Sequence, residues 1–415
     1  MNRLVLIGNG FDLAHGLKTS YKDFIQWYWE ERVAKLRTEH RNKNSDPLCT
    51  IKITSKEALL QSWQSYIFAN GLTHVSNDKL YNILKEQKYN CEFSYTSLFF
   101  KNINHEVETK NWVDIENEYY KLLVRYAKEE ITENAKRENI EGLNKELRFL
   151  QEKLVVYLRT QEQQDINYLP IVANVICDPF RAEEIATNDY GKYQEYVVAN
   201  IEKAYKEKTA TKDLTKGDLE FDIHNIQSDA ETRHILKRRY VDDKYREPEQ
   251  TMLLSFNYTR FAYKYKEAFR KQNIEFNFIH GDLGNPTKII FGYGDDLDEN
   301  YKLLENLNDN SILLNIKSHH YLESSNYKKL LEFAEADAFQ ICIFGHSCGN
   351  SDRTLLNTLF EHKNCVSIKP YYYVWTENGI RKDNYMDLII NISRNFNDKK
   401  LLRERVVSKE EIYKY

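Results

Sequence analysis

Polar residues capable of chemistry follow four separate apolar stretches of the sequence. These junctions are Gly8-Asn9-Gly10, Ser255-Phe256-Asn257, His280-Gly281-Asp282 and Gly345-His346-Ser347. An imidazole such as that of His280 can move protons near neutral pH, and an amide such as that of Asn257 can orient water or a ribose hydroxyl. Glycines at a helix start let the backbone approach an anion closely. Together, these residue types indicate a site that holds a nucleotide and transfers a proton.

The first junction has the features of a phosphate-binding turn. Leu4 to Ile7 is an apolar run without alternation, which is typical of a strand buried on both faces. Gly8-Asn9-Gly10 interrupts the run, and an amphipathic helical pattern follows. The sequence therefore predicts that this turn contacts a nucleotide. Leu13 stands where the G-x-G-x-x-G pattern has its third glycine, so a tight turn without a ligand is the alternative.

Strands and helices alternate in the pattern after Thr251. This alternation predicts an α/β fold with a doubly wound, mostly parallel, Rossmann-like sheet that contains Leu4 to Ile7 as a central strand. Ligands of such sheets bind beyond the carboxyl ends of the strands, so the four junctions are expected at one edge. The predicted strands are Met252–Phe256, Phe276–Ile279, Lys288–Phe291, Phe339–Phe344 and Ser367–Trp375, and the predicted helices are Arg260–Lys271, Tyr327–Ala336 and Thr354–His362.

The region between the first two strands has the pattern of a large helical insertion. Leucines recur every three or four residues from Leu143 to Leu158, as on one face of a long amphipathic helix. Such a helix packs on its neighbours or, alternatively, mediates a partner contact or a homo-oligomer. We predict a nucleotide-binding domain at residues 1–20 and 251–395, a mostly helical insertion at 21–250 with a polar connection at 205–250, and a C-terminal tail at 396–415.

The composition excludes several classes of protein. The chain of 415 residues carries a formal charge of −4, which does not favour general nucleic-acid binding. Its six cysteines include no C-x-x-C pair, so neither a disulfide framework nor a zinc ribbon is expected. No apolar stretch has the length of a membrane span, and the first apolar run is too short for a signal peptide. We therefore expect no membrane association and a reducing, cytoplasmic location.

Two segments resemble a known family. The opening, G-N-G-F-D-L-A-H-G-L-x-T-x-Y-x-x-F from Gly8 to Phe24, resembles the bacterial AbiH abortive-infection family of anti-phage proteins. The W-x-D-x-E of Trp112, Asp114 and Glu116 also fits that family. The resemblance implies antiviral defence by abortive infection, with a phage-derived trigger as a partner. From the residues alone, Trp112 to Glu116 is a helix start with a buried indole or, alternatively, the carboxylate site of a metal-dependent nuclease.

The order of the junctions is also similar to that of the sirtuin-like NAD-binding domains of bacterial defence NAD hydrolases. The shared order is Gly-x-Gly, Ser/Thr-x-Asn-Tyr, His-Gly and then Gly-x-Ser-x-x-x-x-Asp. The resemblance implies NAD as substrate or ligand. The pyrophosphate would contact Gly8 and Gly10, and the adenosine-side ribose and phosphate would contact Gly345 and Ser347.

The same resemblance implies an NAD glycohydrolase. In it, Asn257 would orient the nicotinamide ribose or the attacking water, and His280 would be the catalytic histidine. The remaining residues expected to bind the nucleotide are Asn9, Asp12, Ser255 and His346. Phe11 and Asp12 replace the small or hydroxyl residues usual after the glycine turn, which favours the alternative of a non-enzymatic sensor of a nucleotide or phage component. No metal is expected, and the lack of a zinc-binding cysteine quartet argues against a deacylating sirtuin.

Overall fold

The structure is a computed structural model that describes residues 1–57, 59–86, 90–110, 113–165, 167–210, 242–266, 269 and 273–412. The chain divides into two compact units. The first unit consists of Met1–Gly16, Asp165–Ile290 and Ser318–Tyr415, and the second consists of Leu17–Gln164 and Phe291–Lys317. The sequence pattern predicts boundaries after residues 20, 250 and 395.

The regular elements are as follows within the described ranges. The strands are β1 (Asn2–Ile7), β2 (Lys43–Ser45), β3 (Cys49–Ile53), β4 (Cys91–Tyr95), β5 (Thr251–Ser255), β6 (Ile274–Phe278), β7 (Phe339–Phe344), β8 (Cys365–Tyr371), β9 (Val374–Glu377) and β10 (Ile380–Asp383). The α-helices are Asn9–Ala14, Tyr21–Leu36, Trp63–Ala69, Asn77–Lys85, Leu98–Lys110, Ile115–Lys128, Glu133–Glu162, Pro170–Cys177, Tyr190–Ala210, Glu299–Glu305, Asn310–Leu313, Lys317–His320, Asn326–Ala336, Arg353–Phe360, Tyr385–Arg394 and Lys399–Arg405.

The first unit is built on a five-stranded sheet with the order β6-β5-β1-β7-β8. Every neighbouring pair in it is parallel. All six residues of β1 are buried, as its apolar sequence predicts, and its Leu6 pairs with Leu254 of β5 and Ile343 of β7. The predicted parallel sheet with Leu4 to Ile7 at its centre is therefore confirmed.

Apolar side chains cover both faces of this sheet. On one face, Leu6 and Ile343 lie in a core cluster with Leu330 and Phe333 of the helix Asn326–Ala336. On the other face, the alternate residues of β1 adjoin the helix Pro170–Cys177, whose Val172 and Val175 line a small gap beside Ile7 and Phe344. Helices therefore lie on both sides of the sheet, as expected when parallel strands are buried on both faces.

The second unit is mostly helical but contains a small sheet. The leucines between Leu143 and Leu158 are buried on the helix Glu133–Glu162, which confirms the predicted amphipathic helix. The order β2-β3-β4 forms an antiparallel sheet that the sequence pattern does not predict. Its central strand buries Cys49, Thr50, Ile51 and Ile53, and a run this short lacks a readable period.

Several predicted elements differ in the structure. Lys288–Phe291 does not form the predicted strand. A 3₁₀ turn covers Pro286–Lys288, and beyond it Ile290 N–H donates to His280 O at 2.9 Å. The predicted strand Ser367–Trp375 ends at Tyr371, and a separate hairpin of β9 and β10 follows it. The predicted helix Arg260–Lys271 is a 3₁₀ helix at Phe261–Tyr265, and residues 267–268 and 270–271 lie outside the described residues.

The structure describes the end of the predicted insertion and the predicted C-terminal tail only in part. Residues 211–241 of the predicted polar connection lie outside the described part of the chain. The predicted tail contains the helix Lys399–Arg405, whose Arg405 is buried and donates to Phe360 O at 2.7 Å. No helix among the described residues is long and apolar enough to cross a membrane.

Candidate functional site

The parallel register brings four chain segments to one edge of the first unit's sheet. Ile7 of β1 pairs with Ser255 of β5 and with Phe344 of β7, and Ser255 pairs with Phe278 of β6. The residues that follow these strands therefore leave the sheet at the same level. These are the four junctions that the sequence predicts to converge, and this edge is where parallel α/β sheets bind their ligands.

The glycine turn after β1 is packed against the loop after β7. A Cβ atom at Gly8 would lie 2.5 Å from the Cα of His346, and one at Gly10 would lie 2.7 Å from the Cα of Gly345. Gly345 has φ +72°, a conformation that favours glycine. The glycines are thus required by close contact between two backbones.

Backbone hydrogen bonds use the N–H groups of this turn. Gly8 N–H donates to Phe344 O at 3.3 Å, and Gly10 N–H donates to Gly345 O at 2.8 Å. Phe11 N–H donates back to Gly8 O at 2.9 Å. The helix that follows, Asn9–Ala14, has only six residues. Three donors of the expected phosphate cradle are therefore already bonded within the protein, while the side chain of Asn9 is exposed.

A buried carboxylate joins this turn to the end of β5. Asp12 is 1% exposed, and its Oδ2 accepts a hydrogen bond from Thr259 Oγ1 at 2.6 Å. Its Oδ1 accepts from Asn257 Nδ2 at 3.0 Å, and the same amide donates to Gly8 O at 3.0 Å. Buried Ser255 accepts from Asn257 N–H at 3.2 Å. We call Asp12, Asn257 and Thr259 the Asp12 group.

A second buried carboxylate lies between two imidazoles. Asp352 is 8% exposed, with its Oδ1 3.2 Å from His280 Nε2 and its Oδ2 3.6 Å from His346 Nε2. The hydroxyl of Tyr321 lies 3.3 Å from His280 Nε2. The ring of Phe256 contacts both imidazoles, with centroid distances of 5.3 Å to His280 and 4.1 Å to His346. We call His280, His346 and Asp352 the Asp352 group.

The loop after β7 fixes one member of the Asp352 group. His346 Nδ1 accepts a hydrogen bond from Cys348 N–H at 3.0 Å. Cys348 has φ +53°, and its carbonyl accepts from Asn395 Nδ2 at 2.8 Å. Burial, and secondarily the charge of Asp352, raises the pKa of the Cys348 thiol. The thiol is fully buried and packs within the protein.

The structure places the two residues expected to be catalytic at the same sheet edge but gives them different partners. Asn257 bonds Gly8 and Asp12, whereas His280 adjoins Asp352 and Tyr321. Ser347, expected to bind the nucleotide, is exposed, and its carbonyl accepts from Asn391 Nδ2 at 3.0 Å.

The sequence alone assigns no role to Asp352 and Thr259 of these groups, or to Tyr321, whose hydroxyl lies beside His280. Asp352 stands in the polar run after β7, and its spacing from Ser347 was visible, but no local pattern connects it to His280. Thr259 lies within the polar run after β5 and carries a similarly weak signal. Tyr321 belongs to a short 3₁₀ turn and gives no signal in the sequence.

The W-x-D-x-E segment in the second unit has structural partners. Asp114 caps the helix Ile115–Lys128, accepting from Asn117 N–H at 3.0 Å, which confirms the predicted helix start. Glu116 forms a buried ion pair with Lys317 at 3.1 Å. Trp112 lies outside the described residues. Across the described parts of both units, no three His, Cys, Asp or Glu side chains are arranged to hold a metal ion.

A protein-family model matches most of the chain. The family model described as "Bacteriophage abortive infection AbiH" matches residues 4–373, which include both carboxylate groups of the sheet edge. No curated protein and no solved structure matches the chain. The family model spans most of the sequence, and the chain therefore belongs to the AbiH family of bacteriophage abortive infection proteins.

Proposed function

We propose that this AbiH protein acts in abortive infection by hydrolysing the glycosidic bond of NAD or a related nucleotide at the carboxyl edge of the five-stranded sheet. The observation that carries the proposal is the pairing of His280 with Asp352, an imidazole 3.2 Å from a buried carboxylate. A carboxylate of this kind orients an imidazole and stabilises its protonated form, which is what a general base needs.

The proposed reaction needs one proton acceptor. Water attacks C1′ of the nicotinamide ribose, the C1′–N bond breaks, and nicotinamide leaves with the electron pair of that bond. The proton of the attacking water goes to His280. Positive charge develops on the ribose as the bond breaks, so a water held in line with C1′ lowers the barrier further.

Other groups at the edge are assigned to binding. The N–H groups of Gly8, Gly10 and Phe11 are occupied by backbone carbonyls, so we assign the diphosphate to the exposed side chains of Asn9 and Ser347. The Asp12 group holds the turn after β1 against the end of β5 and thereby positions Asn9.

The experiment is an assay of nicotinamide release. Purified full-length protein is incubated with NAD, alone and with lysate of phage-infected cells, and nicotinamide is measured by chromatography. We expect His280→Gln to lower turnover at least about a hundredfold, since a positioned general base contributes about that much. The matched control is His362→Gln, because His362 also faces a carboxylate, Glu335 at 3.3 Å, but precedes β8 at the opposite edge of the sheet.

A second function, nucleotide sensing without turnover, is favoured by the partners of Asn257, because its amide bonds Gly8 O and Asp12 and so holds the fold together at the point where a hydrolase would orient water. Calorimetry with NAD separates the two functions. If the protein binds NAD but releases no nicotinamide, either alone or with lysate of phage-infected cells, the result supports the sensor and contradicts the hydrolase. Equal turnover by wild type and His280→Gln contradicts the assignment of the base.

A further inference from the structure

The two ring nitrogens of His346 have partners of opposite character. Nδ1 lies 3.0 Å from the backbone nitrogen of Cys348, and Nε2 lies 3.6 Å from Oδ2 of Asp352. A backbone N–H can only donate, so Nδ1 must accept and the ring proton must be on Nε2. We infer that His346, which the sequence assigns to nucleotide binding, is instead a positioning residue, locked as the Nε2–H tautomer with its proton turned toward Asp352.

Several contacts fix the orientation of the His346 ring. Cys348 adopts φ +53°, which is uncommon for a residue with a side chain and persists only where the surroundings fix it. Its carbonyl accepts from Asn395, and the preceding carbonyl of Ser347 accepts from Asn391 of the helix Tyr385–Arg394. The ring of Phe256, with its centroid 4.1 Å from that of His346, fixes the imidazole plane.

This tautomer divides the carboxylate of Asp352 between two donors. Oδ2 faces the Nε2–H of His346, and Oδ1 faces Nε2 of His280, which also lies beside the hydroxyl of Tyr321. His280 then carries its proton on Nε2 and has Nδ1 as its acceptor nitrogen. Besides these groups, the ring of Tyr258 lies 6.5 Å from that of His280, and the buried thiol of Cys348 adjoins His346. His346 thus orients the carboxylate that orients the base.

The tautomer is read directly by NMR and does not depend on the proposed function. The full chain is labelled with ¹⁵N-histidine, long-range ¹H–¹⁵N spectra are recorded at neutral pH, and the signal of His346 among the eleven histidines is assigned with His346→Phe. We expect a protonated Nε2 and an unprotonated Nδ1. Cys348→Gly is the matched control, because it keeps the N–H and favours positive φ, and its spectrum is expected to show the same tautomer. A protonated Nδ1 on His346 would overturn the inference.

The effect on turnover rests on the proposed function and needs a second measurement. His346→Phe keeps a ring against Phe256 but removes both nitrogens. We expect kcat for NAD to fall at least about tenfold, because misplacing a reactive group costs rate, while KM changes less than about threefold. An unchanged kcat in a folded variant overturns the positioning role. A wild-type chain without turnover contradicts the proposed function and with it the kinetic role, whereas the spectrum still decides the tautomer.

Discussion

Two buried aspartates lie at the same edge of the sheet and have different partners. Asp12 accepts hydrogen bonds from the hydroxyl of Thr259 and the amide of Asn257, groups that do not change protonation state near neutral pH. Asp352 faces the imidazoles of His280 and His346, which belong to the one side-chain type that titrates there. The two buried carboxylates therefore differ in whether their partners can exchange protons near neutral pH.

The two groups also join different parts of the sheet edge. The Asp12 group ties the turn after β1 to the end of β5, so its hydrogen bonds act on the fold. The Asp352 group brings together the residues after β6 and β7. Its contacts therefore influence where the protons of the two imidazoles lie. Breaking one group is expected to lower stability, and breaking the other is expected to lower turnover.

The largest effect is expected where both groups are broken together. Gly345 has φ +72°, and a Cβ added there would lie 2.2 Å from Phe11 N. Gly345→Ala should lower the free energy of unfolding by at least about 3 kcal/mol, through backbone strain and a clash with no flexible neighbour. The loss is measured by urea unfolding. Gly142→Ala, in the helix Glu133–Glu162, is the control because nothing lies within 4 Å of a Cβ atom added at Gly142. This substitution should stabilise the protein by about 0.5–1 kcal/mol.

A loss below about 1 kcal/mol in Gly345→Ala would mean that the two loops do not depend on their close contact. The Asp12 and Asp352 groups would then be independent features of the edge, and the glycine turn would again be open to a role in anion binding.

An intermediate effect is expected when only the Asp12 group is broken. Thr259→Val keeps the side-chain shape but removes the 2.6 Å hydrogen bond to Asp12, leaving a buried carboxylate oxygen with one donor fewer. Unfolding free energy should fall by about 1–3 kcal/mol. Thr376→Val, at an exposed position of β9, should change it by less than about 0.5 kcal/mol. Equal values for the two variants in urea unfolding would remove the structural role of the Asp12 group.

The smallest effect concerns the end of the helix that carries Asp12. His15 contacts Phe11 O and the hydroxyl of Tyr265, each at 2.6 Å, and burial lowers the pKa of His15 below 6.5 despite the bond to Phe11. When pH falls below about 6.5, the unfolded chain binds a proton before the folded chain does, so stability is lost. Between pH 7.5 and 5.5, the free energy of unfolding of the wild type should fall by more than that of His15→Gln, with a difference of about 1 kcal/mol or less. If urea unfolding gave the same pH dependence for wild type and His15→Gln, His15 would have the same pKa in the folded and unfolded chains, and the prediction would fail.

The sequence predicts the sheet because its strands are locally distinctive. Leu4 to Ile7 is an uninterrupted apolar run, and Phe339 to Phe344 is apolar except for Gln340. Short runs of this kind are typical of strands that are covered on both faces. Lys288–Phe291 is also largely apolar, but it follows Pro286, and a 3₁₀ turn at Pro286–Lys288 occupies the start of the predicted strand. Short strands such as β3 carry too few residues for their period to be recognised.

The candidate site is less predictable because its geometry is tertiary. A Gly-x-Gly turn has the same sequence whether it cradles a phosphate or packs against another backbone, and only the fold shows Gly345 in that space. Asn257 and His280 were recognisable by residue type and by their position after strands. That one faces Asp12 and the other Asp352 follows from contacts between residues far apart in the chain.

Nicotinamide release from NAD is compared among wild type, Asp352→Asn and Thr259→Val, each assayed at the same folded fraction, to decide which of the two carboxylate groups serves the reaction. At saturating NAD, we expect Thr259→Val to release nicotinamide at nearly the wild-type rate per folded molecule, because loosening the Asp12 group affects NAD binding and not the chemical step. Asp352→Asn, which removes the charge that supports His280, should release it at least about a hundredfold more slowly. Equal losses in the two variants, or no release by any of the three, would contradict the claim that the Asp352 group, and not the Asp12 group, carries the chemistry.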